Sequence, residues 1–344
     1  MESQQAQRKN EHLSLATKYY DRAHAGHPFD LVRLIHSALP ESSVNEVDLT
    51  TELTPELKMS APFYIEAMTG GSKKAADVNT QLARLAHKYN LAMATGSVSV
   101  ALKEDSAKDS FAAVRAENPD GIVLANLSAN ATPEQARAAV ELLGANAIEI
   151  HVNVAQELVM PEGDRSFYWV DNIKRLVDEL DVPVIVKEVG FGMNKTDIMK
   201  LNQLGVKVIN VSGHGGTNFV MIENARNHEE DYSDLFNWGQ TTPEALLEAR
   251  LAGTDSKIIA SGGICSPLDV IKAGVLGASA VGVAGYFLNV LIKDGYDALD
   301  QTISDWMTTL PRLMTLVGCR RFSELREVDY ILGPELQNYL DQRQ

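Results

Sequence analysis

Val182-Pro183-Val184-Ile185-Val186-Lys187 reads as a fully buried strand that ends on a cation. A charge at the carboxyl end of an apolar run is costly unless something anionic meets it. At least six other strand-like runs also end in polar or glycine-rich clusters. They are Ala67-Met68-Thr69-Gly70-Gly71, Ala94-Thr95-Gly96-Ser97, Asn126, His151-Val152-Asn153, Asn210-Val211-Ser212-Gly213-His214-Gly215-Gly216-Thr217 and Ser261-Gly262-Gly263. Polar groups gathered at one end of many parallel strands are how a (β/α)8 TIM barrel assembles an active site. The chain is therefore expected to be an α/β enzyme with its chemistry at the carboxyl ends of the strands.

The rest of the chain keeps this rhythm. Strand-like runs centre near Ile65, Ala92, Val123, Ile148, Ile185, Ile209, Ile259 and Val281. Helical patterns fall between them, at Asp77–Tyr89, Pro133–Leu143, Tyr168–Leu180, Lys195–Leu204, Pro243–Leu251 and Pro267–Gly274. Strands alternating with helices of this length indicate parallel βαβ units. Thr132-Pro133, Thr242-Pro243 and Ser266-Pro267 each pair an expected N-cap with proline at the first helical position. Phe219–Gln240 is an extra segment rich in Asn, Glu and Asp, expected to cover the barrel mouth. Two regions are drawn: an N-terminal extension over 1–60 and a barrel with C-terminal helices over 61–344.

Composition bounds the function. The chain has 344 residues, is 45% hydrophobic and carries a formal charge of −15. That charge argues against a general nucleic-acid binder, so an anionic substrate needs local cations. No apolar run is long enough to span a membrane, and Met1–Asn10 lacks the apolar core of a signal peptide. The two cysteines, Cys265 and Cys319, have no metal or redox spacing and suit a reducing cytoplasm.

Three constellations carry chemistry. Ser261-Gly262-Gly263-Ile264 after the seventh strand and Gly282-Val283-Ala284-Gly285 after the eighth form the expected phosphate cradle. Glycines let backbone N–H groups approach an anion, and a following helix N-terminus adds partial positive charge. Thr217 adds a hydroxyl donor. A phosphate held there often belongs to flavin mononucleotide (FMN). Its ring would lie over the barrel mouth, with Lys187 at the N1–C2=O edge and Thr69, Ser97 and Asn126 as hydrogen-bond partners. The second is His151-Val152-Asn153-Val154-Ala155-Gln156-Glu157. Alternation puts His151 and Asn153 on one face, and Glu157 offers a ligand to a hard cation such as Mg2+. A Gln-Glu pair is also what an ordinary helix surface looks like. The third is Arg8-Lys9-Asn10-Glu11-His12, three potential cations that could grip a diphosphate; a solvated terminus has the same composition.

The set Arg8-Lys9-x-Glu11-His12, Met68-Thr69-Gly70-Gly71, Thr95-Gly96-Ser97, His151-Val152-Asn153-x-x-Gln156-Glu157, Val186-Lys187-Glu188-Val189-Gly190-Phe191-Gly192 and Gly213-x-Gly215-Gly216-Thr217 resembles the type 2 isopentenyl-diphosphate isomerases. The resemblance runs in order over nearly the whole chain. It implies that Ala67, Met68, Thr69, Ser97, Asn126, Lys187, Ser212, Thr217, Gly262, Gly263, Ala284 and Gly285 hold FMN. It implies that Arg8, Lys9 and His12 bind the diphosphate, with His151 and Asn153 nearby. Gln156 matches a contact close to the alkene and Glu157 matches the Mg2+ ligand. Lys187, Gln156, His151 and Asn153 are the expected catalytic set. The family interconverts isopentenyl and dimethylallyl diphosphates, a step of isoprenoid biosynthesis. It uses reduced FMN kept active by a reductant such as NADPH, and assembles as tetramers or octamers. Two positions depart from many relatives: Asn218 follows Thr217, and Ala284-Gly285 stands where some carry an arginine.

The isomerisation adds a proton at C4 of the alkene and removes one from C2. With Glu157 committed to metal, no obvious carboxylate pair suits this, so the reduced flavin is the expected proton carrier. One alternative is an FMN-dependent 2-hydroxyacid oxidase. It needs arginines near the last strands, where only Arg226 and Arg250 occur. A second is a non-catalytic phosphate-binding barrel.

Overall fold

A computed structural model describes residues 4–23 and 26–344. Eight parallel strands close into a barrel in sequence order. They are β1 (Phe63–Ile65), β2 (Met93–Ala94), β3 (Val123–Ser128), β4 (Ala147–His151), β5 (Val184–Lys187), β6 (Val208–Asn210), β7 (Lys257–Ser261) and β8 (Ala280–Val283). β8 returns to pair with β1, Val281 against Phe63. Every expected strand centre lies in, or one residue before, its strand.

The helices are α1 (Gln4–Lys18), α2 (Lys73–Tyr89), α3 (Asp109–Glu117), α4 (Pro133–Leu143), α5 (Val154–Val159), α6 (Val170–Glu179), α7 (Lys195–Gln203), α8 (Phe219–Arg226), α9 (Thr242–Ala252), α10 (Pro267–Val275), α11 (Gly285–Lys293), α12 (Tyr296–Leu316) and α13 (Pro334–Arg343). Thr132 and Ser266 cap their helices as expected. α9 corrects the expectation by one residue: Thr241 is the N-cap, in a reciprocal capping box with Glu244. Thr242 turns inward instead, and its hydroxyl, with one proton to give, lies 2.8 and 2.6 Å from the Ser261 and Gly262 carbonyl oxygens. α2 begins four residues earlier than its apolar pattern, because the Ser72 hydroxyl accepts from Ala75 N–H. α3 and α8 have weak apolar periodicity and escape a pattern reading.

Inward-facing residues form two layers. The lower is apolar, with Leu124, Ile185, Val208 and Ile259 packed together. Leu53 and Leu57 join it from a hairpin, Thr51–Thr54 with Leu57–Met59, which plugs the amino end of the barrel. The upper layer is polar and lies under the opposite mouth. The described residues of the first sixty are thus laid around the barrel. Val32–Leu34 pairs antiparallel with Tyr330–Leu332, and α1 lies across the mouth with Leu13 in the core.

Candidate active site

A cavity of about 750 Å3 opens at the carboxyl ends of the strands, a size that suits a cofactor or drug-sized ligand. Every residue expected to bind FMN, diphosphate or metal, or to act in catalysis, lines it. β1 and its loop bring Ala67, Met68 and Thr69; the loop after β2 brings Ser97. β3 brings Asn126, and β4 with α5 brings His151, Asn153, Gln156 and Glu157. β5 brings Lys187. Ser212 and Thr217 follow β6, Gly262 and Gly263 follow β7, and Ala284 and Gly285 follow β8. Arg8, Lys9 and His12 reach the cavity from α1, so the basic terminus is a docked helix on the wall.

One side of the cavity is built of backbone. Gly262 and Gly263 have φ of +90° and +74°, a region open to glycine at little cost. A Cβ at Gly262 would lie 2.0 Å from the Gly213 carbonyl, and one at Gly216 would lie 2.7 Å from Gly263 N. Beside this cradle, α11 starts at Gly285 with no side-chain cap. Its first N–H groups therefore face the cavity without an intrahelical acceptor. Ser212 holds φ at +30°, a strained conformation for a residue with a side chain and one that clusters at functional sites. Across the cavity, the Thr69 hydroxyl is buried with no protein partner. A phosphate and the polar atoms of a ribityl or ring edge fit this donor set, so the residues present fit FMN.

The floor is built of side chains. Lys187 Nζ lies 3.7 Å from Glu66 Oε1. Glu66 also accepts from Ala67 N–H at 2.7 Å, Asn210 at 2.6 Å and Tyr64 O–H at 2.7 Å. Asn126 donates to Glu149 at 3.0 Å, so its oxygen is left to accept from His151 Nδ1 at 2.9 Å. That fixes His151 as the Nδ1–H tautomer with Nε2 bare. Burial, then the charges of Lys187 and Lys9, hold His151 down to about 3, so the ring is neutral. Two buried carboxyls that the sequence reading did not single out, Glu66 and Glu149, lie at this floor. Alternation along Ala147-Ile148-Glu149-Ile150-His151 was the signal that placed Glu149 inside.

The wall under α1 is an ionic cluster. Gln156 donates to Glu223 Oε1 at 2.9 Å, and His12 Nε2 lies 2.9 Å from the same oxygen. Arg226 contacts Glu223 at 2.5 Å, Glu162 at 2.8 Å and Glu11 at 2.9 Å. Burial pushes Glu223 up, but hydrogen bonds and charge from His12, with Gln156 and Arg226, prevail and hold it at about 2. Glu223 was not singled out from the sequence, since α8 lay in a segment read only as a cover. Arg226 is committed to this cluster and Arg250 donates to the Tyr330 hydroxyl at 2.6 Å, so neither is available as a substrate-carboxylate clamp.

Glu157 accepts from Asn153 at 2.9 Å and from Asp164 N–H at 2.7 Å. Among the described residues no group of three or more His, Cys, Asp or Glu could hold a metal ion. Cys265 sits near the α10 N-terminus, yet burial and Asp269 push its thiol up to about 12, so it is an unreactive small residue.

A profile of FMN-dependent dehydrogenases matches residues 112–331. The chain is 61% identical over its full length to a protein of Limosilactobacillus reuteri subsp. reuteri named isopentenyl-diphosphate delta-isomerase, covering 99% of that protein. It is 47% identical to the protein of that name from Latilactobacillus sakei, over 99% of this chain and 97% of the other. It is 42% identical to that of Staphylococcus aureus, again over 99% and 97%. Among solved structures, a flavocytochrome b2 superposes with a TM-score of 0.69 at 21% identity, over 96% of this chain and 84% of the other. A mandelate oxidase superposes with a TM-score of 0.65 at 19% identity, over 95% and 100%. At that identity the two structures speak for the barrel alone.

Proposed function

The chain belongs to the isopentenyl-diphosphate delta-isomerase family, within the FMN-dependent barrels, and from this premise we propose how its cavity works. It is an enzyme that interconverts isopentenyl and dimethylallyl diphosphates in isoprenoid biosynthesis. The observation that carries the reading is the joining of two dissimilar walls in one cavity. A glycine cradle with an uncapped helix start suits FMN phosphate, and a cationic wall from α1 suits a second, diphosphate anion.

In this reading the FMN is used reduced; when bound it would supply the proton that the alkene needs at C4, would take back the one released from C2, and would set an electron-rich ring against the developing cation. The residues do the rest. Lys187 holds charge at the ring's N1 edge. Arg8, Lys9 and His12 grip the diphosphate, with His151 and Asn153 beside them. Gln156, fixed by Glu223 and Asn153, directs its amide at the alkene end of the substrate. Glu157 would offer its carboxylate to a Mg2+ ion, which prefers carboxylate, phosphate and water oxygens. NADPH is the proposed reductant and the cytoplasm the proposed compartment.

Residues 1–60 serve as the extension that carries the arm, and 61–344 as the FMN barrel. The assembly is proposed as a homo-oligomer, a tetramer or octamer. Ile35, Leu316 and Ile331 lie exposed along the paired terminal segments and support a subunit contact there. The test is direct. The purified protein should be yellow, and should isomerise isopentenyl diphosphate only when reduced and supplied with Mg2+. A colourless protein, or turnover of a 2-hydroxyacid under oxygen, would replace this reading.

A further inference from the structure

Tyr64 stands between two carboxyl groups with a single hydroxyl proton to give. Its oxygen lies 2.7 Å from Glu66 Oε2 and 3.2 Å from Glu149 Oε1, and a phenol donates once. The shorter contact takes that proton: Glu66 also receives the Ala67 N–H, the Asn210 amide and the Lys187 ammonium, as an ionised carboxylate does, and the phenol oxygen itself accepts from the Asn210 amide at 3.3 Å. The contact from Tyr64 to Glu149 then has no hydrogen unless Glu149 brings one. Glu149 Oε2 already accepts from Asn126, which leaves Oε1, the atom that faces the phenol oxygen.

We propose that Glu149 is held as a neutral carboxylic acid that donates to Tyr64, so that the Glu66–Glu149 pair carries one proton and one negative charge beneath Lys187. Two carboxyls with one proton balance the Lys187 ammonium; the next carboxyl, Glu188, is met by the Val189, Gly190 and Phe191 N–H groups of its own loop. Both ionised would leave the floor with one excess negative charge, aimed at the cavity.

The surroundings agree. Glu149 is fully buried and Glu66 nearly so. Burial, then the charge of Glu66, pushes Glu149 well above the usual carboxylate range, against Lys187 and Asn126. Burial and the two carboxylates likewise push Tyr64 well above its ordinary value, so the phenol keeps its proton. Neutral His151, two residues along β4, adds no charge. Two carboxylates in one low-dielectric site ordinarily share a proton in this way. Glu149 lies behind Glu66 and Lys187, so it is a positioning residue. What it positions is the charge of Lys187, left available to an anionic ring edge. The redox consequence rests on FMN filling the cavity; the protonation does not.

The experiment uses the holoenzyme and the variants Glu149→Gln, Glu66→Gln and the double variant. In the infrared spectrum, wild type minus Glu149→Gln should contain the C=O stretch of a protonated carboxylic acid at neutral pH. Its absence overturns the proposal even if FMN binds normally. The second readout is the ratio of dissociation constants for oxidised and reduced FMN. With one shared proton, either single variant keeps one carboxylate against Lys187, so the ratio stays within about twofold of wild type. The double variant frees Lys187 and should favour reduced FMN by about tenfold or more, one such step being about 1.4 kcal/mol. If Glu149→Gln alone produces that step, both carboxyls were ionised and the proposal fails. Should the double variant not fold, the infrared signal and the single variants decide it. If no variant, nor the wild type, binds FMN, the cofactor reading fails while the infrared result still stands.

Discussion

Lys187 sits on β5 inside the barrel, and Lys9 sits on α1 laid across its mouth; both line the same cavity. Their surroundings act in opposite directions. Burial pulls Lys187 down, but the negative charge of the Glu66–Glu149 pair, with that of Glu188, more than offsets it, and the ammonium ends above its ordinary value. Desolvation and the neighbouring charge of Arg8 pull Lys9 down to about 8, with only Glu223 opposing. One cation is balanced by the protein's own carboxylates. The other is short of an anion. A rigid strand can hold a permanent charge at little risk, whereas a helix tied on by rim pairs holds a charge that a ligand must complete.

The comparison breaks most severely at Lys187. Lys187→Ala should lower kcat by on the order of 10²–10³, the scale seen when one preorganised charge-stabilising donor is lost. It should weaken reduced FMN more than oxidised FMN, because the charge that Lys187 meets appears on reduction. Equal loss of both redox forms, measured by flavin titration, would remove Lys187 from this role. Some stability should go too, since breaking a buried pair leaves Glu66 without its cation.

Deleting residues 1–12 probes the opposite case. Leu13 and the hairpin that plugs the barrel remain, so the protein should fold and stay yellow. It should bind isopentenyl diphosphate roughly 10²-fold more weakly, from two lost charge-assisted contacts of about 1.5 kcal/mol each. Mixing this chain with full-length Glu157→Gln should restore activity only if the arm serves a neighbouring subunit. Unchanged affinity in the truncated enzyme would make α1 a structural cover.

Glu157→Gln removes a charge and little volume, and its partners Asn153 and Asp164 N–H are not part of the FMN cradle. FMN content should be unchanged, and half-saturation by Mg2+ should move up by about tenfold or more. An Mg2+ titration that overlays wild type would place the metal on other ligands.

The barrel was legible in the sequence because each strand repeats one message, an apolar run ending in polar or glycine residues. The glycine cradle was legible for the same reason, since its turns sit at fixed places after β7 and β8. Two parts were not. Glu149 is flanked by Ile148 and Ile150 and is visible only by alternation. Its partner Glu66 lies one residue past β1. Neither position reveals that the closed sheet brings them both to Tyr64. Glu223 sits on α8, whose weak periodicity hides a helix, and its partners Gln156 and His12 are 67 and 211 positions away in the chain. Short-range pattern carries the elements; the ionic cluster exists only after closure.

The smallest effect should separate the two lysines by pH. In the free enzyme Lys9 loses its proton as pH rises through about 8. A bound diphosphate favours the ammonium, so binding above that pH requires proton uptake. Affinity for the diphosphate should therefore be flat below pH 8 and fall by up to about tenfold per unit above it. Lys9→Met should bind more weakly throughout and lose this alkaline limb. Lys187 is held charged by its carboxylates and contributes nothing over the same range. Titration calorimetry at pH 8.5 in buffers of differing ionisation enthalpy counts the protons directly. Wild type should take up close to half a proton or more on binding, and Lys9→Met correspondingly less. Equal uptake by both would mean that another group supplies the limb, and the contrast between a balanced floor and an anion-seeking arm would be lost.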